Sequence, residues 1–446
     1  MKNQSIDESD LRYISEEVFK QISRYTINTG DVYVTIAGTI GAVGTIPPHL
    51  DGMSLTENAA KLVFSGLSKK YLVTVLQSSF VTRQFNDAVN QMAQPKLSLN
   101  SIKHTCIPIP PLEEQEYIAD KVDELMALCD QLEQQTEASI EAHQVLVTTL
   151  LDTLTNSADA DELMQNWARI SEHFDTLFTT EESIDQLKQT ILQLAVMGKL
   201  VPQDPSDEPA AELLKRIAEE KAQLVKEKKI KKQKALPPIA EDEKPFELPS
   251  GWEWCRLDDI CFGITSGSTP PKVNFNESEG IPYLKVYNIR EQKIDFEYKP
   301  QFVDNDCHKT KLARSVLYPG DVVMNIVGPP LGKIAIIPDT YPEWNCNQAI
   351  TFFRPIVPQL NKYIYTYLTA GSFLDSIELI GTAGQDNISV TKSRSILLPT
   401  PPLREQKRIV NKVHELFLLC NSLKMRLRKR QELKLCITDT IVEQAV

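Results

Sequence analysis

The sequence predicts an α+β fold: two tandem β-rich units carrying helices, separated by long helices that pair as an antiparallel coiled coil with approximate two-fold symmetry. Three observations predict it. PPLEEQEYIADKVDELMALCDQL at position 110 is rewritten as PPLREQKRIVNKVHELFLLCNSL at position 401, and over Pro108 to Leu132 the copies agree at 14 of 25 positions, 291 residues apart. The stretches before the copies repeat as well: NTGDVYVTIAGTIGAVGTIPP is echoed by YPGDVVMNIVGPPLGKIAIIP, and QPKLSLNSIKHTCIPIPP by QDNISVTKSRSILLPTPP. No Gly or Pro interrupts residues 112–197, so helix dominates between the units.

Along the chain, residues 1–110 form the first β-rich unit: short β-branched runs (DVYVTI, AAKLVF) alternate with Gly and Pro turns. YLVTVLQSSFVTRQFNDAV has apolar residues at three and four residue steps and reads as a helix. A central helical region covers 111–200. Its first helix runs from Pro111 to about Thr155, ~64 Å at about 1.5 Å per residue, with Glu113, Glu114 and Glu116 where the helix dipole favours acid. DELMQNWARISEHFDTLF and SIDQLKQTILQLAVMGKL form a further helical pair. Residues 201–245 are a charged helix, capped by Ser206 or Asp207, and a linker. There KEKKIKKQK is either a solvated helix end or linker, or a phosphate-contacting run. The second β-rich unit spans 246–400 and the second copy of the long helix 401–446.

Each copy carries one apolar stripe, Leu112, Ile118, Val122, Leu125, Leu128 and Leu132 in the first and Leu403, Ile409, Val413, Leu416, Leu419 and Leu423 in the second. Such a stripe needs a cover, and the simplest cover for one copy is the other, packed antiparallel. Cys129 and Cys420 fall at the same place in the two copies and read as core packing. The eight cysteines show neither CxxC nor zinc spacing, and the six histidines are dispersed, so no metal centre is expected. No long apolar run or secretory leader is visible, which points to a cytoplasmic chain without a membrane span. A net charge of -12 argues against DNA binding by bulk charge. Acid is concentrated in 113–185, where Asp and Glu outnumber Lys and Arg by more than three to one, so a local basic groove elsewhere stays open.

PIPPLEEQEYIADKVDEL, PTPPLREQKRIVNKVHEL, LKQTILQLAVMGKLVPQDP and ELPSGWEWCRLDDI resemble hallmark segments of the specificity subunit of type I restriction-modification systems. The resemblance implies a non-catalytic subunit in which the two β-rich units are target-recognition domains, each reading half of an asymmetric, interrupted double-stranded DNA sequence. It also implies two modification (methyltransferase) subunits docked on the helices and restriction subunits joining that core. S-adenosylmethionine, ATP and Mg2+ would belong to those partners, with no cofactor on this chain. The residues agree that catalysis lies elsewhere. NIVGPPLG lacks the order of an adenine methyltransferase motif, there is no GxxxxGK[ST] loop, and the repeat makes AGTIGAVG a strand-turn-strand.

Base-edge readout needs Arg, Lys, Asn, Gln and small hydroxyls on loops. In the second unit the candidates are Thr265, Ser266, Ser268, Thr269 and Lys272 in TSGSTPPK, then Lys285, Tyr287, Asn288 and Arg290 in PYLKVYNIR, with strand alternation sending Lys285 and Tyr287 to one side. Lys309, Lys311, Arg314, Asn325 and Lys333 are candidate backbone contacts. The first unit offers Arg24, Thr39, Asn58, Arg83 and Lys96. Measured from Leu248, 72 residues precede Gly320-Asp321, whereas 29 precede Gly30-Asp31. The first domain is therefore expected to be N-terminally incomplete, through truncation, complementation in trans or a reduced fold, and to read its half-site poorly unless the segment is supplied. Two other readings remain: a coiled-coil scaffold without sequence-specific DNA binding, and a truncated, non-functional specificity subunit.

Overall fold

The duplicated phrases fold into duplicated hydrogen bonds. In a computed structural model describing residues 6, 8, 11–90, 96–276, 278–377, 380–382 and 385–445, the chain divides into units of residues 1–141 and 142–446. Asp31 and Asp321 each accept a backbone N–H three residues back, from Asn28 at 2.9 Å and Tyr318 at 2.8 Å, closing the turn that launches a strand. Leu97 N–H bonds Ile36 O and Ile388 N–H bonds Ile326 O, both at 2.9 Å. The phenols of Tyr71 and Tyr363 donate to Pro108 O at 2.8 Å and Pro399 O at 2.7 Å. Gln115 and Gln406, both buried, fold back onto Pro110 O and Pro401 O to fix the entry into the long helices.

Unit 1 is built on a three-stranded antiparallel sheet ordered Val43–Thr45, Val32–Thr35, Ala59–Leu62. Alternation sends Val32 and Val34 to a core with helices Lys69–Gln77 and Ser79–Asn90, and Tyr33 to a small cluster with Ile27 and Ile46 on the other face. The single helix expected over residues 71–89 is broken at Ser78, whose extended backbone ends one helix while its hydroxyl bonds Val75 O. The same alternation recurs in unit 2. There the sheet runs Ile334–Ile336, Val322–Asn325, Ile350–Phe353, Thr265–Ser266, with Val322 and Met324 in the large core and Val323 on the opposite face.

The two copies of the long helix, here the first arm (Leu112–Thr155) and the second arm (Leu403–Ala445), form as expected. Within unit 2, helix Glu181–Val196 braces the second arm. Lys188 reaches Asn421 at 2.7 Å, Asp185 meets Lys424 at 2.5 Å and Glu181 meets Arg428 at 2.6 Å, so the residue numbers run in opposite directions and the pair is antiparallel. Ile409 and Val413 are buried, Leu403, Leu416 and Leu423 pack at the edge of the core, and Leu419 is exposed. On the first arm Ala119 is buried and Ile118 half-buried under unit 1, whereas Leu112, Val122, Leu125, Leu128 and Leu132 are exposed. Cys420 is a core thiol as expected; Cys129, on the uncovered stretch, is exposed.

One local expectation also changes. The charged helix runs Ala210–Lys226 without a side-chain cap, because Asp207 is buried and paired with Arg408 at 2.7 Å. The basic run leaves the helix after Lys226 and is fastened to unit 2, where Arg394 donates to Lys234 O at 3.0 Å.

Candidate nucleic-acid interface

The loop that follows Thr265–Ser266 crosses from one sheet of unit 2 to the other. Gly267 N–H bonds Ile350 O at 3.0 Å and Ser268 N–H bonds Cys346 O at 3.2 Å. A Cβ on Gly267 would sit 2.0 Å from Cys346 O and 2.3 Å from Asn347 O, so only glycine permits this approach. Tyr283, whose phenol burial keeps protonated, donates to Ser268 O at 2.7 Å and pins the loop from beneath. Strand Ile281–Leu284, which carries Tyr283, pairs parallel with Asn345–Cys346, so the same strand anchors both sides of the loop.

A short basic segment is held against that loop. Buried Asn345 accepts from Ser315 Oγ at 2.8 Å and donates to Leu312 O at 3.2 Å and to His308 Nδ1 at 3.1 Å. His308 is thereby the Nε2–H tautomer, with Nε2 directed at Glu343 at 3.1 Å. These bonds fix residues 308–315 from inside while Lys309, Lys311 and Arg314 point to solvent. The Arg314 guanidinium lies 3.5 Å from Ser268 Oγ, and Thr269 donates to the exposed Gln348 side chain. Lys285 Nζ stands 5.2 Å from the Phe275 ring centroid, whose edge packs on Tyr283 at 5.1 Å. Ser268, Thr269, Arg314 and Lys285 are thus linked through Tyr283, and Lys272 is exposed in the adjoining turn Lys272–Asn274.

Other candidates are placed differently. Asn288 and Asn325, 1% and 0% exposed, are structural, which corrects their assignment as contacts. Asn288 accepts from Lys285 N–H and donates to Tyr298 O at 2.8 Å. Asn325 donates to Pro330 O at 2.7 Å and accepts from Lys333 N–H at 2.6 Å, the bracing that Thr35 supplies to Ala42 in unit 1. The strand stops at Leu284, so Lys285 and Tyr287 are not strand neighbours; Lys285 nevertheless lies 6.0 Å from the Tyr287 ring because the chain turns there. Arg290 stacks on Tyr298 at 4.4 Å and meets Asp295 at 3.3 Å. Thr265 and Ser266 are half-buried in the strand ladder, and Lys333 is half-buried beside it. Gln348 was missed in the sequence; its signal is the polar run NCNQ just before a buried strand.

In unit 1 the bonds converge on Ile36. Asn58 O accepts Ile36 N–H at 2.8 Å, Leu97 follows Lys96 and bonds Ile36 O, and Thr39 tops the adjoining Gly38–Gly41 turn. Thr39, Asn58 and Lys96 are exposed around that end. Arg24 instead stacks on Tyr25 at 4.7 Å, and Arg83 is exposed on helix Ser79–Asn90. Among the described residues no His, Cys, Asp and Glu group could hold a metal ion, and no helix is long and apolar enough to cross a membrane.

The family described as type I restriction modification DNA specificity domain matches residues 2–142 and 249–435, one match over each set of repeated elements. The type I restriction enzyme EcoAI specificity subunit of Escherichia coli is 42% identical over 401 residues, covering 89% of this chain and 67% of that protein. The EcoEI specificity subunit of the same organism is 41% identical over 409 residues, covering 89% and 68%. A solved chain reported under "Structural basis underlying complex assembly and conformational transition of the type I R-M system" aligns with a TM-score of 0.52 at 19% identity, over 93% of this chain and 82% of its own length, and shares the fold. With both units matched by one family and a relative of this identity over most of the chain, the protein belongs to the type I restriction-modification DNA specificity family.

Proposed function

We propose that this chain is the non-catalytic specificity subunit of a type I restriction-modification complex and that unit 2 reads one half of a bipartite DNA target through the pinned loop. Ser268, Thr269 and Gln348 are the base-edge groups, since a hydroxyl pair and an amide can donate and accept in the major groove. Lys309, Lys311, Arg314, Lys272 and Lys285 hold phosphates. Thr39, Asn58 and Lys96 form the corresponding surface of unit 1, with Arg24 and Arg83 as outlying phosphate contacts.

The observation that carries this reading is the Gly267 crossing: a hydroxyl-bearing loop is fixed at backbone level beside a basic segment that is itself fixed by a buried Asn–His–Ser network. A loop that discriminates bases must not re-adapt to the wrong one. Modification and restriction subunits are the partners, and the exposed apolar residues Val122, Leu125, Leu128 and Leu132 of the first arm offer them a docking face. S-adenosylmethionine, ATP and Mg2+ act on those subunits.

The test is to assemble the methyltransferase with wild-type chain or with Thr269→Ala plus Gln348→Ala and map methylated adenines by single-molecule sequencing. One half of the bipartite motif should relax while the other stays fixed. An unchanged motif would refute this placement of the readout, and the absence of any salt-dependent DNA complex would favour a protein scaffold without DNA recognition.

A further inference from the structure

The same glutamine holds the entry to each long helix, but only one of the two is satisfied. Gln115 donates to Pro110 O at 2.8 Å, and its Oε1 accepts the backbone N–H of Ser68 at 2.8 Å. Gln406 donates to Pro401 O at 2.9 Å, yet its Oε1 has no partner although the residue is only 3% exposed. Leu360, which stands in unit 2 where Ser68 stands in unit 1, gives its N–H to Val357 O at 3.0 Å instead. The charges around the glutamine differ as well. Lys70 meets Asp120 at 2.6 Å and Asp123 at 2.9 Å. In unit 2 the matching lysine is Lys362, the aspartates are Asn411 and His414, and Glu113 and Glu116 have become Arg404 and Lys407. Gln406, Lys362, Arg404, Lys407 and Asn411 line one cavity of about 430 Å³. Among the described residues no carboxylate lines it, and Lys362 and Lys407, both exposed, make no ion pair.

We propose that this cavity is a docking site for an acidic polypeptide segment of a partner, which gives a backbone N–H to Gln406 Oε1 and sets its carboxylates against Lys362, Arg404 and Lys407. Unit 1 argues for that occupant. There a backbone N–H satisfies the glutamine and two carboxylates neutralise the lysine, all from the chain itself. Unit 2 keeps the glutamine, the lysine and the proline carbonyl and lacks the other three groups. A buried acceptor needs a donor, and a cluster of unpaired cations favours an anion; an acidic peptide brings both, as free phosphate or a neutral peptide does not. The exposed cations steer the encounter, and the buried amide fixes the register. The inference rests on the comparison of the two repeats and is independent of where DNA is read.

A rhodamine-labelled hexa-aspartate peptide titrated into the full chain at low salt tests it, read by fluorescence anisotropy. Saturable one-to-one binding is expected. Lys362→Gln with Lys407→Gln should weaken it about fivefold or more. Asn411→Asp with His414→Asp gives unit 2 the two carboxylates that Lys70 has in unit 1 and should weaken it to a similar degree. All four positions are exposed, so thermal unfolding of both variants should match wild type. The same peptide with N-methylated amides keeps its charge and loses its donors, and should bind about two- to tenfold more weakly, the scale of one hydrogen bond. No saturation, or binding indifferent to both double variants, would overturn the proposal. Equal binding of the N-methylated peptide would leave charge attraction alone and would also overturn it. So would a random DNA duplex that displaces the peptide and loses affinity with the same lysine changes, which would put nucleic acid in this cavity.

Discussion

Neutralising the basic segment of unit 2 tests the DNA reading without knowledge of the target sequence. Lys309, Lys311 and Arg314 are exposed, and the groups that fix their segment, Asn345, His308 and Ser315, are untouched by Lys309→Gln, Lys311→Gln and Arg314→Gln. If each cation neutralises one phosphate, each contributes about -0.9 to the slope of log Kobs against log salt, and the three together about -2.7. Between about 50 and 200 mM salt the triple contact is then worth about 40-fold in affinity. The variant should lose that part of the salt dependence on a random duplex of some thirty base pairs, read by fluorescence anisotropy across a salt series. Its thermal unfolding should match wild type, because exposed substitutions rarely change stability by more than about 0.5 kcal/mol. Arg290→Gln is the contrast, since Asp295 already faces that guanidinium, and should change the slope by less than one contact. An unaltered slope in a folded triple variant would refute the phosphate assignment.

Gly267→Ala must move either the loop or the Cys346–Asn347 backbone. It should cost about 1–3 kcal/mol, as overpacking does, and relax one half-site; a variant with wild-type melting and an unchanged methylation motif would contradict the crossing as a reading device. Asn325→Ala removes the bonds to Lys333 N–H and Pro330 C=O in a half-exposed hairpin, about 0.5–1.5 kcal/mol for each bond, and urea titration should show that loss with no change in salt slope. Leu192→Ala, on the bracing helix and 3% exposed, should cost about 2–5 kcal/mol; a loss well below that range would mean the helix does not brace the second arm. Burial raises the Glu405 carboxyl above its ordinary value, so the folded chain holds a proton there that the unfolded chain releases. The stability from this group is full below the ordinary carboxylate range and is lost as pH rises through the folded value. Glu405→Gln should therefore flatten the stability curve across that window and hold or gain stability at neutral pH, measured by chemical denaturation at a series of pH values.

The repeat made much of the fold legible because duplicated backbone tasks keep duplicated side chains. Asp31 and Asp321 close the same turn, Gln115 and Gln406 anchor the same helix entry, and Tyr71 and Tyr363 grip the same proline carbonyl. What periodicity could not supply was the identity of a partner. A stripe at three and four residue spacing says that something covers it, and both the other copy and helix Glu181–Val196 satisfy that condition. Within unit 2 that helix supplies one cover through the Lys188–Asn421 and Asp185–Lys424 pairings, which have no local signature.

At the candidate site the same physics separates what could be read from what could not. Lys309, Lys311 and Arg314 were legible because a cluster of cations has to find water. Asn288 and Asn325 were misjudged because an amide meets its hydrogen-bonding needs equally well with a base edge or with backbone inside a turn, and sequence does not distinguish the two. Pairing the repeats could have settled one of them: position 325 is Asn where position 35 is Thr, two residues alike only in offering a short polar group to the same hairpin. A position that keeps its chemistry between the units while they read different half-sites belongs to the scaffold. By that criterion reading residues should lie where the copies diverge, and the proposed ones, Thr269 and Gln348, occupy no part of the matched phrases.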